Sequence, residues 1–287
     1  MLNIYQFLVS PETKQQLYFN RTTSSLICDE GSFEIRDGIP ILLPKKDNLK
    51  YIEHYQKDAE YFDYFEARFP ETQSEEERVY QYVLSRIPPK AKLIADIGCG
   101  NGWLARRLLN LDRIIVSIDV SFRNVSKVLK LYPDENHFGI VADGYFLPFK
   151  DNTFDCVVAS EVVEHLEEPR KFISELLRIV APNGKVILTT PYKEKIRYTL
   201  CIHCNKPTPL NAHLNSLDEY KFAHILQDIE FIDKWIYRKF GNSLVQYLRL
   251  YRLTKIVPFK LWRIMDTFLN FFFKPKHLLI EITKEER

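Results

Sequence analysis

A short run of glycines and acids is the part of this sequence best suited to binding a charged small molecule. Residues 92–102 read Lys-Leu-Ile-Ala-Asp-Ile-Gly-Cys-Gly-Asn-Gly, so Asp96 is followed by Gly98, Gly100 and Gly102 at alternate positions. Glycine tolerates positive φ angles and has no Cβ, which allows a ligand to approach the backbone closely. The Asp96 carboxylate would attract a cation or an amine and repel a pyrophosphate.

The glycine spacing disfavours two other nucleotide-binding motifs. A dinucleotide-binding turn has its third glycine three residues after the second, and this chain has Trp103 at that position. A P-loop needs Gly-Lys followed by Ser or Thr, and these glycines are not followed by that sequence.

Two further acids continue the pattern along the chain. Asp119 ends the apolar run 114–118, and Asp143 ends the run Gly-Ile-Val-Ala at 139–142. A carboxylate at the tip of the second strand can accept hydrogen bonds from the two hydroxyls of a ribose. Either acid taken singly could equally be a helix cap or a turn residue. One acid at the tip of each of three successive strands favours a binding site.

The elements that must position these acids predict a doubly wound α/β fold. Strand, glycine turn and helix follow one another at residues 93–110, with the helix starting at Trp103. Helices are also expected at 169–180 and 216–229, with Ser216 as the N-cap of the latter. Seven runs are predicted strands: 93–97, 114–118, 139–143, 153–160, 185–190, 231–237 and 277–283.

The Asp-x-Gly-x-Gly-x-Gly pattern resembles motif I of the class I S-adenosylmethionine (SAM) methyltransferases, and SAM carries both a sulfonium and an amine. The resemblance covers about residues 90–195. It implies a Rossmann-like, doubly wound sheet of seven strands, in which the last strand is antiparallel and lies between the fifth and sixth. It also implies SAM as the cofactor, with Asp143 at the adenine amine. The cofactor-binding residues would be Asp96, Gly98, Gly100, Gly102, Asp119, Asp143 and Gly144.

The resemblance implies methyl transfer to an oxygen, or to nitrogen or carbon, of a small-molecule acceptor that could be lipid-linked. Two alternatives stay open. One is a methyltransferase acting on RNA, and the other is a catalytically silent module that kept the fold as a scaffold.

A second chemical cluster, Glu161, Glu164 and His165, follows the fourth predicted strand. If this stretch is helical, the spacing puts all three residues on one face, where they could hold a divalent ion such as Mg²⁺. The string resembles Glu-x-x-Glu-His of ubiquinone-biosynthesis O-methyltransferases and of small-RNA 2′-O-methyltransferases, and the latter add a downstream His that corresponds to His213. Without a metal, His165 is the candidate general base.

Residues 1–45 are predicted to form a separate, β-rich module. The run Ile35-Arg-Asp-Gly-Ile-Pro-Ile-Leu-Leu resembles the Trm112-like zinc-ribbon module. Where that family often has Cys-Pro-x-Cys, this chain has Ser10-Pro-Glu-Thr13, and the second pair of cysteines survives only as Cys28. One thiol cannot make a four-ligand zinc site, so we expect a zinc-ribbon-like module that lacks its cysteines and binds no metal.

Residues 46–90 are predicted to be a helical lid or linker, with one helix at about 74–87 and with Tyr51 and Tyr55 as the best candidates for lid contacts. The methyltransferase domain is assigned to 91–287. Within it, Cys201-x-x-Cys204 lacks a second pair and is expected to shape a substrate loop rather than to bind zinc.

Residues 234–276 carry ten basic side chains and one acid, Asp266, on a chain whose net charge is +2. The segment is also rich in large apolar residues, which predicts two helices broken at Pro258 and a helical basic insertion at 238–276. A plain reading is an insertion that packs on the sheet. The functional interpretation is an amphipathic surface that contacts anionic lipid, and RNA binding ranks below it because three consecutive phenylalanines suit lipid better.

The remaining composition gives context for these assignments. The five cysteines are odd in number and scattered, which favours a reducing compartment. The first residues do not resemble a signal peptide, and no apolar run is long enough to span a bilayer. A cytoplasmic protein, with possible membrane association, is therefore the expectation.

Overall fold

An eleven-stranded mixed β-sheet runs through the part of the chain that the computed structural model describes, residues 3–45, 63–200, 205–248 and 256–286. The strands are β1 (Tyr18–Asn20), β2 (Ser25–Cys28), β3 (Gly31–Arg36), β4 (Ile39–Leu42), β5 (Leu93–Ile97), β6 (Ile114–Asp119), β7 (His137–Ala142), β8 (Phe154–Ser160), β9 (Val180–Pro191), β10 (Tyr198–Leu200), β11 (Pro207–Pro209), β12 (Ile232–Asn242) and β13 (Pro275–Lys284). Their order across the large sheet is β1-β2-β3-β4-β7-β6-β5-β8-β9-β13-β12, and β10 pairs with β11 in a separate hairpin.

The middle of the sheet is parallel, and its strands are buried on both faces. All five residues of β5 are buried, as expected for a run without polar alternation between helical layers. Strands β5 to β9 pair in parallel, whereas β13 runs antiparallel to both β9 and β12 and lies between them. The carboxyl ends of β5, β6, β7, β8 and β9 therefore share one edge of the sheet, which we call the carboxyl edge.

The N-terminal strands extend this sheet, so the seven predicted strands are present but the sheet has eleven. Ile41 and Leu42 of β4 pair in parallel with Val141 and Ala142 of β7. The pairing covers an edge of β7 that a seven-stranded sheet would leave open, and it buries Leu42 completely. Local strand patterns gave no information about which edge these residues would join.

Helices cover both faces of the sheet. Helices α1, α2, α3 and α7 pack on one face, where they meet side chains such as Ile94 and Val141. Helices α4 and α5 pack on the other face, against Ala95 and Val157 among others. The helix bounds are α1 (Pro70–Leu84), α2 (Trp103–Leu108), α3 (Phe122–Leu131), α4 (Pro169–Ile179), α5 (Glu219–Leu226), α6 (Ser243–Tyr247) and α7 (Phe259–Leu269).

Several helix limits differ from the predicted ones for local reasons. Helix α1 begins at Pro70, because proline at the first helical position costs no hydrogen bond. The N-cap of α5 is Asp218 rather than Ser216, since the Asp218 carboxylate accepts a hydrogen bond from the Lys221 amide.

None of the helices in the described ranges is long and apolar enough to cross a bilayer. The domain limits near 45 and 90 flank residues 46–62, which lie outside the described residues, and they stay predictions.

Candidate functional site

The glycine turn after β5 is fixed by hydrogen bonds to β6. Gly98, Gly100 and Gly102 all have positive φ angles, of 69°, 49° and 70°. A Cβ on Gly102 would lie 2.6 Å from Val128, so that position requires glycine for packing as well as for conformation. By contrast, a Cβ on Gly100 would meet nothing closer than Tyr64 at 3.8 Å. Gly100 is therefore the point of the turn where a ligand can approach the backbone.

Asp96 places a buried carboxylate beneath this turn. Only 1% of the residue is exposed, and its Oδ2 atom has no hydrogen-bond partner among the described residues. Burial and the nearby Asp119 carboxylate raise the pKa of Asp96 to about 7. A buried acceptor without a donor is costly, so the site favours a ligand that brings a cationic donor group.

Asp119 lies at the end of β6 and is oriented by backbone donors. The Gly100 amide donates to its Oδ2 at 3.3 Å, and the Ser121 amide donates to its Oδ1 at 2.9 Å. Nδ2 of Asn124 also donates to Oδ2, at 3.5 Å, so α3 helps to orient the carboxylate. The turn and the second acid are thus held together as one unit.

Asp143 occupies the equivalent position after β7. Its carboxylate accepts a hydrogen bond from the Tyr145 amide at 3.0 Å, and the residue is 2% exposed. The next residue, Gly144, packs against α4, because a Cβ there would lie 2.6 Å from the Phe172 ring. The structure brings Asp96, Asp119 and Asp143 to the carboxyl ends of three adjacent strands, as the sequence predicted, and gives Gly144 a packing contact.

The loop after β8 does not form the expected helix with three residues on one face. Glu161 has a positive φ of 56°, and only Val163–His165 form a short 3-10 turn. Glu161 consequently lies outside this turn, and its Oε1 is 3.6 Å from Nδ1 of His277. The α-helix on which the one-face arrangement of Glu161, Glu164 and His165 depended is therefore not present in this stretch.

Glu164, His165 and His213 do come together. Potential ligand atoms of these three side chains lie within 4.8 Å of one another, and among the described residues this is the one such group of three or more His, Cys, Asp or Glu. The backbone carbonyl of Glu164 accepts hydrogen bonds from the Leu214 and Asn215 amides, which holds the His213 loop against the turn.

The electrostatics of this group fit a cation. Glu164 is 1% exposed, and neither of its carboxylate oxygens makes a hydrogen bond within the described ranges. Burial, reinforced by the Glu161 carboxylate, raises the pKa of Glu164. Nδ1 of His213 contacts the Glu194 carboxylate, an arrangement that commonly orients a metal-binding imidazole.

A buried ion pair beside this loop was missed by sequence reasoning. Nε2 of His277, in β13, lies 2.8 Å from the Glu75 carboxylate of α1. Burial lowers the pKa of His277, but the Glu161 and Glu75 carboxylates outweigh it and raise the pKa to about 9. The two partners lie 202 positions apart, so no local pattern could have paired them.

Four predicted residues of these regions cannot be placed. Tyr51, Tyr55, Cys201 and Cys204 lie outside the described residues. In the N-terminal region, Ser10 donates its hydroxyl hydrogen to Glu30 at 2.8 Å, and Cys28 is half-buried at the end of β2.

Comparison with known proteins finds similarity to methyltransferases. Residues 95–188 match the family described as a methyltransferase domain. A protein of Mycolicibacterium smegmatis named as a probable S-adenosylmethionine-dependent methyltransferase is 30% identical over 158 residues, covering 54% of this chain and 57% of its own length. The mitochondrial ubiquinone biosynthesis O-methyltransferase of Schizosaccharomyces pombe is 32% identical over 133 residues, covering 42% of this chain and 47% of its own length. The chain thus spans about half the length of these curated relatives.

Solved structures share the fold at low sequence identity. A complex between the Haloferax volcanii Trm112 methyltransferase activator and a methyltransferase matches with a TM-score of 0.54 at 14% identity, covering 85% of this chain and all of that chain. Phosphoethanolamine N-methyltransferase 2 of Haemonchus contortus, in complex with S-adenosyl-L-methionine, matches with a TM-score of 0.52 at 17% identity, covering 74% and 53%.

Proposed function

The chain contains a class I SAM-dependent methyltransferase domain, and from this premise we propose that the protein transfers the SAM methyl group to a hydroxyl oxygen of a small, amphiphilic acceptor. The observation that carries the cofactor assignment is the buried Asp96 carboxylate beneath an accessible glycine turn. The cationic amino group of SAM supplies the donor that Asp96 Oδ2 lacks. Asp119 would accept from the ribose hydroxyls, and Asp143 from the adenine amine.

Methyl transfer needs little covalent help from the protein. When bound, SAM supplies a methyl group on a positively charged sulfur that is its own activated leaving group. The chain must hold the acceptor oxygen in line with that methyl group, and such positioning is worth several orders of magnitude in rate. The loop after β8 is at the carboxyl edge and is therefore placed to hold the acceptor.

A hydroxyl acceptor also needs to lose a proton, and His165 is our candidate for the group that takes it. An imidazole titrates near neutral pH, so it can accept a proton under ordinary conditions. The carboxylate of Glu164 and the ring of His213 lie beside it, with the two imidazole centroids 4.7 Å apart. This cluster supports an oxygen acceptor over a carbon acceptor, since a hydroxyl is activated by such a base.

The same three residues would hold a divalent metal. Two imidazoles and one carboxylate suit Zn²⁺, Fe²⁺ or Mn²⁺ better than Mg²⁺, which prefers oxygen ligands. A metal there would lower the pKa of a bound acceptor hydroxyl. Glu161 does not belong to this set, because it lies by His277.

Calorimetric titration of the full chain with SAM tests the cofactor assignment. Asp96→Asn keeps the shape of the side chain and removes its charge, so we expect SAM affinity to fall roughly tenfold or more while the unfolding temperature is retained. The matched control is Asp112→Asn, at the other end of β6, where the carboxylate is 86% exposed and pairs with Lys92. Failure of the unaltered protein to bind millimolar SAM would refute the proposal and support the non-catalytic alternative.

Cobalt titration tests the metal assignment independently of activity. Co²⁺ bound by imidazoles gives visible absorption bands, and we expect one equivalent to produce them. His213→Ala should abolish the bands, whereas His224→Ala, on α5, should leave them unchanged. Absence of the bands, together with full methyl transfer in excess chelator, would leave His165 acting without a metal.

A further inference from the structure

Helix α7 and the turn after it expose several large apolar side chains. Leu261, Ile264, Phe268, Phe271 and Phe272, which we call the aromatic ridge, are between 60% and 82% exposed. Spacings of three and four residues place Leu261, Ile264 and Phe268 on one face of α7, and Phe272 follows in the turn after the helix. The Phe268 and Phe272 rings contact each other with centroids 5.3 Å apart, so the ridge is continuous at its end.

The opposite face of α7 fixes the ridge in its outward position. Trp262 is 3% exposed, and the Arg78 guanidinium lies over its ring at 4.4 Å. Asp266 is fully buried, and its carboxylate accepts hydrogen bonds from the Tyr82 hydroxyl at 2.9 Å and the Gly241 amide at 3.1 Å. Rotating the helix to bury the ridge would break these contacts, so the exposure is built into the packing.

Basic side chains accompany the ridge on α7 and in the turn after it. Lys260 and Arg263 on α7 are exposed and make no ion pair among the described residues. The Lys274 ammonium donates to the backbone carbonyl of Lys193 at 2.7 Å rather than to an acid. The one acid in 234–276 is Asp266, which is buried on the other side of the helix. This surface therefore combines apolar area with net positive charge.

The ridge ends at the carboxyl edge of the sheet, where the candidate site lies. Strand β13 runs antiparallel to β9, so its first residues lie beside the last residues of β9, with His277 opposite Pro191. The Tyr192 amide donates to the Lys276 carbonyl at 2.7 Å, which ties this corner to the loop that leads to His213. A surface that engages the ridge would face the region that must receive the acceptor.

We propose that the aromatic ridge inserts into the interfacial region of a bilayer that contains anionic lipids. Apolar side chains flanked by lysine and arginine are the pattern of interfacial helices, in which buried apolar area and attraction to anionic headgroups act together. A folded partner protein would be expected to match this positive charge with acids, and RNA binding would use fewer consecutive phenylalanines. Membrane contact itself is independent of the proposed function. Only the amphiphilic nature of the acceptor rests on it.

Vesicle flotation of the full chain tests the contact. We expect the protein to float with phosphatidylcholine vesicles that contain phosphatidylglycerol and to stay at the bottom with phosphatidylcholine alone. The double variant Phe268→Ser/Phe272→Ser should reduce the floating fraction roughly tenfold. Lys260→Glu/Arg263→Glu should reduce it as well, and added salt should mimic that loss.

Leu111→Ser is the matched control, because Leu111 is 58% exposed and lies before β6, at the opposite edge of the sheet. It should leave flotation unchanged. Three results would overturn the proposal: equal binding to neutral and anionic vesicles, no binding to either, or a ridge-dependent dimer in sedimentation. Tight, salt-sensitive RNA binding with no flotation would reassign the surface to RNA. Flotation without SAM binding would leave the ridge standing and refute only the proposed function.

Discussion

Asp96 is the residue whose charge state controls the proposed cofactor site. Its pKa is raised to about 7 by burial and by the Asp119 carboxylate. In the ligand-free protein it is therefore largely protonated below that pH. Binding of a cationic amine favours the ionised carboxylate, so ligand binding should expel a proton whenever Asp96 starts protonated.

We expect SAM affinity to increase as the pH rises through about 7, with proton release on binding below that pH. Calorimetric titrations in two buffers of different ionisation enthalpy measure the released protons directly. Asp96→Asn should remove both the pH dependence and the buffer dependence. An affinity that is flat across this range in the unaltered protein would show that Asp96 does not contact the cation.

Asp119→Ala should weaken SAM binding strongly while the fold is retained. Charge-assisted hydrogen bonds to the ribose hydroxyls contribute about 1.5–3 kcal/mol each. Asp119→Asn is the matched comparison, because it keeps an acceptor for the Gly100 or Ser121 amide and should lose less affinity. Equal dissociation constants for all three proteins would place the ribose elsewhere.

The residues of the glycine turn could be predicted because they are close together in sequence. The acids of the other two strands could be predicted because each lies at the end of its own strand. Asp96, Asp119 and Asp143 need only the parallel order of their strands to meet. Glu161 was misplaced because its own backbone has a positive φ, which ends the regular helical geometry that the spacing assumed. The pairing of His277 with Glu75 depends on how β13 and α1 pack, and neither local sequence contains that information.

Among the elements, α1 and β13 are joined by a buried charge pair. The Glu75 carboxylate contacts both His277 and Lys276. Burial raises the pKa of Glu75, but His277 and Lys276 outweigh it and lower the pKa to about 2. Breaking such a pair leaves an uncompensated buried charge, which is strongly destabilising.

Glu75→Gln should therefore lower the free energy of unfolding in a pH-dependent way. The stabilisation due to His277 is complete below its ordinary pKa of 6.5 and is lost as the pH rises through about 9. The stabilisation due to Glu75 is complete above pH 4.5, its ordinary pKa, and is lost as the pH falls through about 2. Urea unfolding should show the largest loss between pH 4.5 and 6.5. Glu77→Gln, at a partly exposed pair with Arg107, should show a small loss. A Glu75→Gln loss that persists unchanged above pH 9 would contradict the pairing.

Whether a segment forms a helix or a strand was more predictable than which other segments it packs beside. Apolar runs located all seven methyltransferase strands, because a buried parallel strand needs apolar residues whatever lies beside it. Strand β9 is longer than predicted, running from Val180, because the Asn183-Gly184 stretch continues the strand instead of only turning the chain. That outcome depends on pairing with β8, where the register shifts between Phe154 and Cys156.

The N-terminal strands should hold no zinc, because the ribbon motif keeps a thiol only at Cys28. Elemental analysis of the purified full chain, before and after Cys28→Ser, measures this. We expect the same zinc content in both proteins. Loss of one equivalent on substitution would show that Cys28 helps to bind the ion.

At the scale of the whole molecule, the N-terminal strands and the methyltransferase domain share one core. Leu26, Phe33 and Leu42 pack in the same apolar cluster as strand and helix residues of the domain. A core that crosses a sequence boundary in this way favours one cooperative unit over two independent ones.

Leu42→Ala should consequently destabilise the entire protein by about 2–5 kcal/mol. Tryptophan fluorescence and circular dichroism should report one unfolding transition at a lower denaturant concentration. Leu188→Ala, equally buried in β9, is the control and should shift the same single transition. An early, separate transition in the Leu42→Ala protein alone would restore the independent N-terminal module.

The strand order also determines when each strand can find its partner while the chain is being synthesised. Ile41 of β4 can pair only after Val141 of β7 has been synthesised, a hundred residues later. Strand β12 is made before β13, the strand that connects it to β9. Both flanks of the growing sheet therefore stay open for much of translation, and open edges are where nascent chains associate wrongly. The sheet is complete only when residues 275–284 have emerged and paired with β9 and β12. Until then the unpaired edge of β9 would be exposed to chaperones.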